Sequence, residues 1–145
     1  MKKISVSDLS IGDWVCAEQL CGVHSEPRLT PPMKVVGLGE SWVNLEIDPE
    51  QGDPFEFEPS EIRGVPITAE VLEKNGFEQN ANCLDYRFII GKIYCSISKG
   101  IKCWYVNIYD ISDSPHTPIF KAHIIHIHEL QHALRLAKTG KEIEL

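Results

Sequence analysis

One stretch of this chain carries apolar residues at helical spacing for more than two turns, and it lies near the end. Ile127, Leu130, Ala133, Leu134 and Ala137 recur at intervals of three and four. A chain of 145 residues with a single long helical pattern must draw most of its core from strands. The pattern predicts a helix over 127–138, with Ile127, Leu130, Ala133, Leu134 and Ala137 inside an arc of about 120°. His128, His132 and Arg135 fall opposite the centre of that arc, so the projection predicts that both histidines face water. A second, shorter helix is expected over 69–75, with Thr68 as its N-cap and Asn75-Gly76 as its stop.

Before Pro66 the chain reads as short strands cut by turn chemistry. A Gly12-Asp13 turn leads into Trp14-Val15-Cys16-Ala17. Pro27, Pro31 and Pro32 make residues 21–32 a loop, and Met33–Val36 and Trp42–Ile47 form a hairpin around Gly37, Gly39, Glu40 and Ser41. After a second loop over 48–54, Phe55 and Phe57 and then Ile62–Ile67 complete about five strands without a helix, as in a small Src-homology-3-like antiparallel β-barrel.

After Pro66 the expected order is α-β-β-β-(β)-α. Tyr86–Ile90, Ile93–Ile97 and Ile101–Tyr109 read as strands, Asp110–Pro118 as a polar loop, and Phe120–Ile125 as a further β-like run. Apolar side chains on both faces of Ile101–Tyr109 predict a strand covered on each side. Tyr86, Tyr94, Trp104, Tyr105 and Tyr109 are expected to build the second core, with an aromatic platform for bases or a peptide as the alternative. The fold class is therefore α+β, with an acidic β-barrel over 1–66 and an α+β meander over 67–145.

Charge is distributed unevenly. Residues 1–66 hold 5 Lys and Arg against 12 Asp and Glu, whereas residues 67–145 hold 9 against 9. An acidic surface repels phosphate, so the first half is not expected to bind nucleic acid. No apolar run reaches the roughly 18 residues of a membrane span, so no membrane partner is expected. The start has two lysines but lacks the apolar core and cleavage site of a secretory signal, which predicts a cytoplasmic location. Cys16, Cys21, Cys83, Cys95 and Cys103 are odd in number and none has C-x-x-C spacing, as expected of plain thiols.

The predicted C-terminal helix contains His128-Glu129-Leu130-Gln131-His132, the H-E-x-x-H pattern of zinc hydrolases. There, two histidines one turn apart hold the metal and the glutamate between them activates water. On that alternative His128 and His132 are zinc ligands and Glu129 is the general base. Against it stand the outward projection and the lack of a placed third ligand among His116, His123, His126, Asp113, Glu142 and Glu144. The favoured expectation is no catalytic residue, no cofactor and no metal.

Three islands carry a resemblance. They are Leu9-Ser10-Ile11-Gly12-Asp13-Trp14-Val15, then Val65-Pro66-Ile67-Thr68-Ala69-Glu70-Val71-Leu72-Glu73-Lys74-Asn75-Gly76-Phe77-Glu78, then His128-Glu129-Leu130-Gln131 with Leu136-Ala137-Lys138-Thr139-Gly140-Lys141-Glu142-Ile143. Together they resemble a family of short bacterial proteins of no established activity, carried by gut anaerobes and their prophages and mobile elements. The resemblance lends no catalytic residues. It implies Asn where this chain has His132 and often Gln where it has Glu129, so the H-E-x-x-H letters would be peculiar to this chain. Thr139-Gly140 then reads as a helix C-cap. The function expected is a non-enzymatic module that acts through a protein partner or as a homo-oligomer, with a phage or mobile-element association implied by the resemblance. The alternatives are the zinc hydrolase and nucleic-acid binding through the aromatic strands of the second half.

Overall fold

Alternating apolar and polar residues between Trp14 and Gly64 produce a curved antiparallel sheet whose inward residues meet in one core. In the computed structural model, residues 3–19, 26–50, 52–80, 85–112 and 114–145 are described. The chain divides into two compact units, Met1–Val65 and Pro66–Leu145. The first contains β1 (Trp14–Gln19), β2 (Arg28–Leu29), β3 (Met33–Leu38), β4 (Val43–Glu46), β5 (Phe55–Phe57) and β6 (Ile62–Gly64). The order is β2-β1-β3-β4-β5, with β6 also paired to β1. β1 holds this unit together, because β3 pairs its start, β2 pairs its end and β6 pairs Val15–Ala17.

Val15, Ala17, Met33, Val35, Val43, Leu45, Phe57 and Ile62 point into the core together with Leu9. Asp13 is buried because its Oδ2 accepts the Ser10 N–H at 2.8 Å, closing the turn in which Gly12 takes φ +91°. In the β3–β4 hairpin Trp42 lies over the glycines, and a Cβ on Gly39 would sit 2.2 Å from its ring. Ile47, just beyond the end of β4, and Phe55, at the start of β5, are exposed. Residues 26–32, expected as loop, supply the two-residue β2. Cys21 lies outside the described residues.

The second unit holds α1 (Ala69–Lys74), β7 (Glu78–Gln79), β8 (Asp85–Ile90), β9 (Ile93–Lys99), β10 (Trp104–Asp110), β11 (Thr117–Ile124) and α2 (Ile127–Leu136). Its five strands form an antiparallel meander in the order β11-β10-β9-β8-β7. One face buries Tyr86, Phe88, Cys95, Ile97, Trp104, Val106, Ile108 and Ile124. Phe88 takes Phe77 edge-on at 4.6 Å and the Lys141 ammonium at 5.7 Å, so the chain beyond each helix returns to this face.

Three expectations for this unit need correction. β10 begins at Trp104, and Ile101 is 99% exposed in the bend before it. β11 starts at Thr117 and includes Pro118, a residue that an edge strand tolerates. The sheet is also covered on one face rather than two. Tyr86 and Trp104 enter the core, but Tyr94, Tyr105 and Tyr109 stand on the opposite face.

α1 ends as its sequence predicts. Thr68 Oγ1 accepts the Val71 N–H at 3.3 Å, Gly76 takes φ +83°, and the Phe77 N–H reaches Leu72 O at 3.0 Å. Asn75 then ties the helix to the chain end. Its Nδ2 donates to Val71 O and Glu144 O, each at 2.7 Å, and its Oδ1 accepts the Glu144 N–H at 2.8 Å. No helix among the described residues is long and apolar enough to cross a membrane.

Because Asn75 is buried, removing its amide strands backbone groups of residue 144. Asn75→Ala is expected to cost about 1–3 kcal/mol in chemical denaturation. Amide exchange at Ile143 and Glu144 should accelerate at the same time.

Candidate functional site

The junction between β11 and α2 brings the motif residues together. His126 is the N-cap, extended at φ −119°, and Glu129 is the third helical residue. The first N–H groups of a helix have no partner within it, so a side-chain acceptor at this position is stabilising. Glu129 Oε1 accepts the N–H groups of Ile125 and His126, each at 3.1 Å, and lies 3.4 Å from His126 Nδ1. Burial pushes the Glu129 carboxyl up. The His126 side chain, the N–H groups of Ile125 and His126, and nearby His128 outweigh that and bring it down to about 2. A carboxylate held so firmly in its charged form is a poor proton acceptor.

His128 does not face water. It is 4% exposed, Gln131 is buried beside it, and His132 is half-buried. The projection located the apolar centre of α2 but not the width of its buried arc. Pro66 bridges His126 at the helix start, so a further chain segment flanks the first turn besides β11. The His128 ring stacks on His126 at 5.6 Å and 14°, and meets His132 edge-on at 5.8 Å.

The set of possible ligands differs from the one the motif names. Among the described residues, ligand atoms of His126, His128 and Glu129 all lie within 4.8 Å of one another. His132 is not part of that set. His123 packs edge-on against Tyr105 at 4.6 Å, and Glu142 faces Arg135 at 3.8 Å. The Glu144 backbone serves the Asn75 clamp. Asp113 lies outside the described residues.

The second candidate is the uncovered face of the five-stranded sheet. Directly paired residues of antiparallel strands point to the same side, so the register defines three rows across it. One runs Asp85–Ser98–Tyr105–His123, the next Glu78–Arg87–Ser96–Asn107–Lys121, and the third Ile89–Tyr94–Tyr109–Pro118. Tyr105 is 41% exposed and Ile89 58%. The Lys121 ammonium lies 5.8 Å from the Tyr109 ring. Strand alternation places Tyr105, Asn107 and Tyr109 on one side. The assumption that aromatic side chains would be covered hid the face.

Cys16, Cys95 and Cys103 are free thiols, and Cys83 lies outside the described residues. Burial pushes the Cys95 thiol up to about 12, which removes it as a nucleophile. Comparisons with protein-family models, curated proteins and solved structures find no match to this chain.

The cap has a pH signature. Its folded-state value lies below the ordinary 4.5, so the stabilisation is fully present above that value and is lost as pH falls towards 2. The Glu129 side chain is 36% exposed, and solvent screening reduces the effect to about 1 kcal/mol. Glu129→Gln should lower stability by about that amount at neutral pH. The gap from wild type should close between pH 4.5 and pH 2, as read by urea denaturation.

Proposed function

We propose that this protein is a non-enzymatic association module that pairs with a second copy of itself through the open face of its C-terminal sheet. The observation that carries the reading is the self-complementary pattern of that face. Lys121 lies on edge strand β11 and Glu78 on the opposite edge strand β7, in the same cross-strand row. A two-fold axis along central strand β9 sets β11 of one copy over β7 of the other and β10 over β8. Lys121 then meets Glu78, Asn107 meets Arg87, Tyr105 meets Asp85, Tyr109 meets Ile89, and Tyr94 meets its own counterpart.

Packed sheets cross at about 30°, which displaces the outer strands by roughly 5 Å. The long side chains of Lys121 and Glu78 span such a gap. The face is about 24 Å wide at a strand spacing of about 4.8 Å. Two copies would bury on the order of 1,000 Å², the lower bound for a specific interface. The dimer is expected to form in the micromolar range.

The balanced charge of the face, Arg87 and Lys121 against Glu78 and Asp85, gives phosphate no preferred surface and argues against nucleic-acid binding there. The use of Glu129 as a cap argues against the zinc hydrolase. For the N-terminal unit we propose a Src-homology-3-like barrel. The order β6-β1-β3-β4-β5, with a 3-10 turn at Pro59–Glu61 before β6, supports it. A role in phages or mobile elements rests on the sequence resemblance alone.

Sedimentation velocity across the micromolar range tests the dimer. Each charge reversal, Lys121→Glu or Glu78→Lys, acts twice in a two-fold interface and should weaken association by about tenfold. The double variant should recover most of it. A wild-type monomer throughout the range, or a double variant no tighter than the single ones, would overturn the proposal.

A further inference from the structure

We propose that His126, His128 and Glu129 form a binding site for a borderline-soft divalent metal of the zinc and cobalt class, distinct from the pair named by H-E-x-x-H. Two imidazoles and one carboxylate suit such ions and do not suit calcium or magnesium, which take oxygen ligands. The local backbone assembles the set. His126 is extended while Ile127 is already helical, so its ring turns back over the first turn and stacks on His128 at 5.6 Å. Glu129 completes the group, with all three ligand atoms within 4.8 Å of one another.

The spacing is close to what an ion requires. Ligand atoms on one tetrahedral zinc lie about 3.4 Å apart at a bond length of about 2.1 Å. Drawing the most distant pair together by up to about 1.4 Å, with one imidazole rotated out of the near-parallel alignment so that both in-plane lone pairs meet the ion, closes the set. His128 supplies a buried wall, while His126 and Glu129, with side chains 18% and 36% exposed, leave an approach from solvent. Both cap bonds fall on Glu129 Oε1, so the carboxylate can offer Oε2 without surrendering the cap.

The helix N-terminus repels a cation, and this opposes binding. The ionised carboxylate in the same turn offsets it. With three protein ligands, a tetrahedral ion keeps one position for water or a partner's side chain. Glu129 would serve as ligand and cap rather than as general base.

The test uses untagged, chelator-washed protein, titrated with cobalt(II) by visible absorption and with zinc(II) by calorimetry. The site predicts one ion per chain. His126→Asn keeps a side chain favoured at an N-cap, and should weaken binding by at least about tenfold. Glu129→Gln should weaken it too, and His132→Asn should leave it unchanged. Histidine-ring NMR of the wild type provides a check that needs no variant: zinc should shift the His126 and His128 resonances and spare those of His116 and His123. Absence of stoichiometric metal would overturn the proposal. So would loss in His132→Asn with retention in His126→Asn, because that pattern belongs to the H-E-x-x-H pair.

Discussion

The carboxylate of Glu129 accepts two backbone N–H groups where an edge strand becomes a helix, and much of the C-terminal unit depends on that junction. β11 must end near Ile124 for α2 to begin at Ile127. The helix in turn supplies Ile127, Leu130, Ala133 and Leu134 to the core. Unpaired N–H groups at a buried helix start are costly, so an acceptor at this position has a structural use whatever else it does. The glutamate of the five letters that spell a hydrolase motif is thus the N3 residue of a cap that begins two residues before the motif, at His126.

The antiparallel strands and both helices of an α+β chain were legible because they rest on local rules: strand alternation, a threonine cap, and an Asn-Gly stop. The α2 pattern located the apolar side of the helix through Leu130, Ala133 and Leu134. What the sequence could not convey was tertiary enclosure. His128 lies opposite the apolar arc and is buried all the same, at a helix start where Pro66 bridges His126. Pro118 read as a loop residue, yet a strand edge accepts proline. Tyr94, Tyr105 and Tyr109 were assigned to a core on hydrophobicity, but the meander covers only one of its faces.

The candidate sites differ in the same way. H-E-x-x-H is visible as text, but the side chains that lie close in space are His126, His128 and Glu129, and His126 precedes the helix. Its proximity depends on the extended N-cap backbone, which no helical projection includes. The open face, by contrast, follows from register alone once the strand order is known. It places opposite charges on opposite edges with tyrosines between them, a pattern suited to a two-fold contact. These two features occupy different elements, so the proposed association and the proposed metal site can be tested by separate mutations.

Whether Glu129 is architecture or chemistry is the central question, and its own titration answers it most directly. The carboxyl carbon of Glu129, followed by carbon-13 NMR through the acid range, should titrate at about 2. A midpoint at the ordinary value of 4.5 or above would mean that the carboxylate is not held by the helix start. The account of α2 as a capped structural helix would then be contradicted.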